Sequence, residues 1–348
     1  MSIFDLIKAP ELTAYWEEHT KDMPPYLGEE LFPNDKKLGL KLDWIKGAMG
    51  LPVVLKPSAF DSTAIPRSRI GFDMLSAQMP FFKESTYIDE ELRQQLNMVL
   101  ETNNQAYIDA VTRRVFDDQT RLLNGARARR EEMRMMALTT GVIAITANGQ
   151  DYNYDYGVPA NHKVNPVTAW SDLENSDPIE DLRTWMDLIE GDTGVRPVRG
   201  VLSRKTWGYL RRNQKIIKSL FVLSNGQVGA ISDSRLTTYL SDELGLELNV
   251  YTKQYMNDKG TATKFVPDGT VSLFPTGNLG KTWFGTTPEE SDLIGGKVAN
   301  VSITDTGVAV TTIEKADPVN VETKVTMICL PSFESANSVI IADVNSAA

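Results

Sequence analysis

A long stretch of the chain carries its hydrophobic residues at the spacing of a helix. Between residues 86 and 140, apolar side chains recur every three or four residues, as at Leu92, Leu96, Val99, Tyr107, Val111, Val115, Leu122, Ala126, Met133 and Met136. Thr86 followed by Asp89 resembles a capping box, and Gly141 is well placed to end the helix. At ~1.5 Å per residue the helix would extend roughly 70 Å, with Asn124-Gly125 as a position where it could break. A coiled coil is the alternative, but clean heptads are not sustained.

The stretch from Thr20 to Pro80, ahead of this helix, has no such period and is divided by prolines. They stand at 24, 25, 33, 52, 57, 66 and 80. Each proline removes a backbone donor and restricts the residue before it, so this stretch cannot be mostly helix. It is too long for an ordinary connector, and its apolar content is too high for typical disorder, which is the alternative. We therefore expect an arm whose apolar side chains contact other molecules, with Trp44, Phe60, Phe72, Met74, Met79, Phe81 and Phe82 as candidates.

Beyond the helix, the pattern predicts a hairpin and then a mixed α/β region. Residues 142–147 are rich in β-branched side chains, Asn148-Gly149 favours a type I′ turn, and tyrosines alternate on the return strand. Asp177-Pro178 opens a helix that Gly191 would end. The further predicted elements are a strand at 198–202, a helix capped by Ser203, a helix capped by Ser232 or Asp233 and ended by Gly245, and strands at 246–251, 321–329 and 338–344.

Composition predicts a folded, acidic protein. The hydrophobic fraction of 41% is enough for sizeable cores, and the net charge of -10 opposes tight binding of nucleic acid. Cys329 is the single cysteine, which excludes an intrachain disulfide. The first residues lack the pattern of a signal peptide, and no apolar run approaches the roughly 20 residues of a membrane helix. We expect a soluble, intracellular protein that folds in a reducing compartment.

Short patterns that suggest ligand chemistry do not satisfy their own requirements. Residues 277–282 end in Gly-Lys-Thr, but the glycine that a phosphate-binding loop needs five residues earlier is Pro275, and no helix is predicted to follow. Asp151, Asn153 and Asp155 resemble half of a calcium loop, yet the twelfth position is His162. Neither histidine has metal-ligand spacing. The sequence therefore indicates no catalytic residue, no cofactor and no metal.

Arginines concentrate on the predicted long helix. They are Arg127, Arg129, Arg130 and Arg134, with Arg113, Arg114 and Arg121 upstream, and acidic residues are interleaved with them. Two interpretations stay open: a solvated or salt-bridged helix face, and pairing of Arg127 and Arg130 with acidic surfaces of other copies of the chain. DNA binding ranks below both.

Three short passages resemble the lambda-type major capsid family of tailed bacteriophages. Two precede the long helix, Ile65-Pro66-Arg67-Ser68-Arg69 and Met79-Pro80-Phe81-Phe82-Lys83-Glu84, and the second leads into Ile88-Asp89-Glu90-Glu91-Leu92. The third, Phe265-Val266-Pro267-Asp268-Gly269-Thr270-Val271, is similar to that family's late strand and turn. The order of parts, from arm and loop to closing strand, also resembles the Hong Kong 97-type fold.

The resemblance implies an α+β structural protein, not an enzyme. Its parts would be an N-terminal arm (1–46), an extended β loop (47–85), a spine helix with the peripheral domain (86–176), an axial domain (177–300), and return strands completing the peripheral domain (301–348). The arm and loop would reach onto adjacent subunits.

The resemblance also implies partners. Many copies would form pentamers and hexamers of an icosahedral head shell, assembled in the host cytoplasm and carried in the virion. A scaffolding protein, a portal and a decoration protein are implied by analogy, and packaged DNA would meet an acidic inner wall only through weak non-specific contact. Lys56 lies where some relatives cross-link their shells, although a partner asparagine and an acid catalyst are not recognisable. No membrane partner is expected.

Two other functions fit part of the sequence. An encapsulin-like nanocompartment uses the same fold around a cargo enzyme, and a phosphate-binding hydrolase would be built on residues 277–282. Gene neighbourhood separates the first from a phage shell, and nucleotide binding tests the second.

Overall fold

The structure is a computed structural model that describes most of the chain. The described residues are 8–21, 23–46, 73–88, 90, 94, 98, 105–221, 230–257, 259–294, 299–316 and 319–347, and for 44–46, 73–75, 105–107, 109 and 316 only the backbone is described. Two compact units are formed. The first comprises Met1–Leu42, Ser76–Met133 and Lys281–Ser332, and the second comprises Asp43–Leu75, Arg134–Gly280 and Phe333–Ala348.

Helices and strands follow one another in mixed order along the chain. The first part contains α1 (Ala9–Thr20), α2 (Leu27–Leu31), β1 (Asn34–Lys36), β2 (Lys41–Lys46), β3 (Asp73–Gln78), β4 (Phe81–Ile88), α3 (Gln105–Thr140), β5 (Val142–Ala147), β6 (Gln150–Asp155) and β7 (Lys163–Val164). The second part contains α4 (Pro178–Thr193), β8 (Arg199–Leu202), α5 (Arg204–Arg212), α6 (Gln214–Leu220), α7 (Asp233–Leu244), β9 (Glu247–Val250), β10 (Gln254–Met256), β11 (Ala262–Lys264), β12 (Thr270–Phe274), β13 (Thr282–Phe284), β14 (Asn300–Thr304), β15 (Val308–Ala316), β16 (Val319–Pro331) and β17 (Ile340–Asp343).

Helix α3 confirms the predicted long helix but not its predicted start. Thr86 lies in β4 opposite Thr323 of β16, so it cannot cap a helix. The described helix has 36 residues, about 54 Å at 1.5 Å per residue, and it continues through Asn124-Gly125 without a break. Gly141 ends it as predicted, with φ of +75° and its N–H donating to the carbonyl of Ala137.

The first unit is organised around β16. This strand pairs antiparallel with β15 on one side and with β4 on the other, and its end pairs with β13. The sheet is completed by β14 beside β15 and by β1 parallel to β13. Leu12 of α1 and Val115 of α3 are buried in one cluster with Ile88 and Val321, so both helices cover the same face of the sheet.

The N-terminal segment contacts its own chain. In α1, Ala9, Leu12 and Trp16 are buried, and Trp16 Nε1 donates to Asn124 Oδ1 over 2.9 Å. Phe32 is also fully buried. The expectation of an arm that is covered only by other molecules is therefore wrong for these described residues, because the sheet and α3 supply the apolar surface that they need.

The second unit is a five-stranded sheet with helices packed on one face. The strand order is β7-β17-β12-β8-β9. Helices α4 to α7 bury their apolar sides against Val271 and Leu273 of β12. The caps at Asp177 and Ser203 are confirmed, since each side chain accepts a backbone N–H of the first turn. Helix α4 ends at Gly194, which has φ of +74°, and not at Gly191.

Two predicted strand features have different outcomes. The hairpin of β5 and β6 is confirmed, with Asn148 and Gly149 at φ of +51° and +73° as a type I′ turn requires. The closing strand β17 forms, but it pairs with β12 in the second unit, whereas we expected residues 301–348 to complete one domain together. Antiparallel pairing with β12 satisfies its backbone there.

Candidate functional site

One face of β4 is exposed along the length of the strand. Phe81, Lys83, Ser85 and Tyr87 alternate along it, and all four are exposed, with Phe81 at 40% and Tyr87 at 65%. Among the described residues β4 pairs only with β16, so its outer edge also offers backbone groups. We call these four residues the β4 face. Two aromatic rings on an exposed edge strand are typical of a contact surface.

The neighbouring candidates are more enclosed. Met79 is 2% exposed, and its backbone N–H donates to the carbonyl of Leu40 over 2.9 Å. Phe82 points to the opposite side of β4 from Phe81, and the guanidinium of Arg129 lies 6.0 Å from its ring centroid. Of these three predicted contact residues, Phe81 is the most exposed, and Met79 is almost fully buried.

The side chains of the other predicted contact residues lie outside the described part of the structure. Phe60 and Phe72 lie outside the described residues. Trp44 and Met74 belong to β2 and β3, which pair with each other, but their side chains lie outside the described part.

Arg127 and Arg130 are engaged within the first unit. The guanidinium of Arg127 binds both carboxylate oxygens of Glu29, at 2.9 and 3.1 Å, and lies 4.9 Å from the ring centroid of Tyr26. The hydrogen bond to Glu29 raises the pKa of Arg127 above its ordinary value. Arg130 is 2% exposed, pairs with Asp305, and stacks 5.5 Å from the Phe284 ring centroid. The sequence left open whether these arginines form salt bridges within the chain or pair with other copies. In the structure, both form salt bridges within the chain.

A groove of about 490 Å³ lies beside these arginines in the first unit. Its lining includes Trp16, Glu17, Lys21, Arg127 and Asp305. The acidic groups already have partners within the unit: Thr304 donates to Glu17 over 2.5 Å, and Arg130 pairs with Asp305. The groove is lined by α1 and by the sheet, and its acidic side chains already have partners within the unit, so it has no feature of a ligand site.

The rejected ligand patterns have structural roles. Lys281 Nζ lies 2.6 Å from Asp35 Oδ2, and β13 follows it directly, so residues 277–282 form a turn between strands. His162 is buried with Nε2 3.0 Å from Asp192, a hydrogen bond that lowers the pKa of the Asp192 carboxyl. Asp151 accepts from Thr146 across the hairpin. Within the described ranges, no three His, Cys, Asp or Glu side chains are grouped as a metal site would require.

A one-sided charge distribution in the second unit was missed by the sequence reasoning. Residues 194–232 contain eight Lys and Arg residues and no Asp or Glu. The signal is present in the sequence, because a stretch of 39 residues that carries only positive charge stands out in a chain whose net charge is -10.

Comparison with known proteins gives one family and a consistent fold. The sequence model of the family described as phage major capsid protein E matches residues 8–344. No curated protein matches the chain. A prophage protein of E. coli CFT073, described as a capsid protein, is 20% identical over 97% of this chain and 99% of its own, with a TM-score of 0.63.

Two further solved structures share the fold. A phage-related protein from Bordetella bronchiseptica RB50 is 16% identical over 98% and 99% of the two chains, with a TM-score of 0.57. A chain from the capsid asymmetric unit of cyanophage A-1(L) is 10% identical over 91% of each chain, with a TM-score of 0.51. Within the described residues, no helix is both long and apolar enough to cross a membrane.

Proposed function

The chain belongs to the phage major capsid protein E family, and from this premise we propose how its parts build a shell. It is a structural subunit of the phage head and not an enzyme, and it has the Hong Kong 97-type fold. The shell is built from many copies of the chain. The finer assignments that follow are our proposals.

We propose that the β4 face is a contact between copies of the subunit. Its support is the exposure of Phe81 and Tyr87 on an edge strand, where burial on assembly would remove apolar area from water. This strand begins in the last residues of the extended loop, so loop and face would be engaged together. Residues 177–300 would meet their copies around the axes of pentamers and hexamers, and Trp44 of the arm with Phe60, Phe72 and Met74 of the loop would contact adjacent subunits.

The accessory partners follow by analogy with the family. A scaffolding protein would set the shell's curvature during assembly in the host cytoplasm, a portal would replace one capsomer, and a decoration protein could bind the finished shell. The genome would be enclosed with weak non-specific contact, since the chain carries a net charge of -10. Lys56 stays a candidate for cross-linking.

Shell assembly is tested by negative-stain microscopy and sedimentation of the full-length chain. Wild type should form shells or capsomer rings, whereas the double variant Phe81→Ser/Tyr87→Ser should stay a folded subunit. The matched control is Met98→Ser/Val167→Ser, which removes two side chains that are 69% and 83% exposed from the stretch between β4 and residue 177, where no contact between copies is proposed. If the first variant assembles like wild type, the β4 face is not a contact. If wild type stays a lone monomer at high concentration, self-assembly itself fails.

A further inference from the structure

The segment that forms α5, α6 and the adjoining turns carries charge of one sign only. Between residues 194 and 232 the charged side chains are Arg196, Arg199, Arg204, Lys205, Arg211, Arg212, Lys215 and Lys218. The chain as a whole has ten more acidic than basic residues. Positive charge is therefore concentrated in a short part of an acidic protein, where it acts locally over a screening length of about 10 Å.

The surrounding chain neutralises only some of these cations. The ion pairs are Arg204 and Arg211 with Asp233, Lys215 with Asp177, and Arg196 with Asp187 and Glu190. In the described part of the chain, no ion pair is formed by Lys205, Arg212 or Lys218. All three side chains are exposed, so their charges face solvent.

Two of these cations share one side of α5, and the third lies on the helix that follows. Lys205, Gly208 and Arg212 are separated by three and four residues, so they share one side of α5 over about 10 Å. Gly208 has no side chain, and Arg212 Nε donates to its carbonyl over 3.0 Å, which holds the guanidinium along the helix. Helix α6 begins two residues after Arg212 and carries Lys218. We call Lys205, Arg212 and Lys218 the α5–α6 cationic face.

We propose that the α5–α6 cationic face binds the phosphate backbone of duplex DNA without reading its sequence. Separate cations on two consecutive helices suit a regular polyanion, because each can contact a phosphate independently. An acidic protein surface is the other polyanionic partner, and competition between DNA and polyglutamate distinguishes the two. The proposal rests on the shell function, which brings subunits and genome together, and it names the residues that make the contact.

The test measures fluorescence anisotropy of a short labelled DNA duplex with the full-length chain in its unassembled gel-filtration fraction. Three phosphate contacts predict that the logarithm of the binding constant falls against the logarithm of salt with a slope of about -2.7. Affinity should then fall about 40-fold between about 50 and 200 mM salt. The variant Lys205→Gln/Arg212→Gln/Lys218→Gln should lose at least about tenfold in affinity at the lowest salt, together with most of this slope.

The control removes the same charge from another exposed surface. Arg113→Gln/Arg114→Gln/Arg121→Gln on α3 should bind DNA nearly as wild type does, since all three side chains are exposed and belong to the first unit. Equal losses in the two variants, or none in the first, would overturn the proposal. Stronger competition by polyglutamate than by unlabelled DNA would assign the face to an acidic protein instead. Microscopy of the same preparations reports shell formation separately, so failure of DNA binding and failure of assembly are distinguishable.

Discussion

The guanidinium of Arg130, in the long helix α3, pairs with the carboxylate of Asp305, in the turn between β14 and β15. Arg130 is 2% exposed and Asp305 is 29% exposed at their side chains. A cation this deeply buried is stable only with its counter-charge, because the low-dielectric interior replaces water poorly. The pair therefore fixes the turn to the helix within the first unit.

Removing the carboxylate should destabilise the subunit strongly. Asp305→Ala leaves Arg130 buried without its acidic partner, and we expect a loss of about 3–5 kcal/mol in the free energy of unfolding, measured with urea. The control is Asp118→Ala, which breaks the exposed pair of Asp118 with Arg121 and should cost less than about 1 kcal/mol. Equal losses in the two variants would show that the buried pair has no special role.

The turn between β14 and β15 should become more stable when the side chain of Thr306 is removed. Thr306 has φ of +76°, a region that β-branched residues rarely occupy, and Thr306→Gly should raise the free energy of unfolding by about 1 kcal/mol. Gly307→Ala is the opposing change, since an added Cβ would lie 2.7 Å from atoms of the Phe284 side chain. Thermal unfolding should rank the variants with Thr306→Gly above wild type and Gly307→Ala below it, and the reverse order would contradict this account of the turn.

Local signals in the sequence predicted local structure correctly. The cap at Ser203, the turn at Asn148-Gly149 and the end of α7 at Gly245 depend on a few adjacent residues, and each is confirmed. Thr86 also had a local capping signal, but β4 pairs with β16 far along the chain, and that ladder determines its conformation. A single sequence does not show such a pairing, so Thr86 was wrongly predicted to cap the helix.

The candidate site was predicted only in part, for a similar reason. Apolar residues ahead of α3 were singled out as contact candidates, yet their pattern could not separate the exposed Phe81 from the buried Met79 two residues earlier. Likewise, the arginines of α3 were recognised as a group, but the partners of Arg127 and Arg130 come from Glu29 and Asp305 in distant segments. Burial and pairing are properties of the folded chain.

The difference in burial between Met79 and Phe81 should be measurable in the isolated subunit. Met79→Ala should lower the free energy of unfolding by about 2–5 kcal/mol, because it leaves a cavity at a site that is 2% exposed. Phe81→Ala should change the same quantity by less than about 1 kcal/mol, since 40% of this residue is already exposed to solvent. A large effect of Phe81→Ala on unfolding would mean that this side chain packs within its own subunit.

Acid should weaken the first unit through Glu289. Burial alone would raise the pKa of this carboxyl, but hydrogen bonds from Lys324, at 2.6 Å, and Thr326 outweigh it, so the pKa lies below its ordinary value of 4.5. A carboxyl with a lowered folded pKa stabilises the protein above its unfolded pKa, and this stabilisation is lost as pH falls through the folded value.

The corresponding experiment compares urea unfolding of wild type and Glu289→Gln from pH 6 down to pH 3. Above about pH 5 the variant should be less stable than wild type, and the difference should shrink below pH 4.5, the ordinary pKa of this group. Glu180→Gln is the control, because Glu180 forms an exposed pair with Arg183. A difference for Glu289→Gln that does not vary with pH would contradict the assignment.

The pairing of strand β16 determines how the subunit resists tension. Its residues between 321 and 327 are hydrogen bonded to β15 on one side and to β4 on the other. Tension along the strand would load both ladders in shear, so that many bonds must yield together. Tension that peels β4 from the edge would break bonds one after another, and we expect a ruptured shell to begin tearing there.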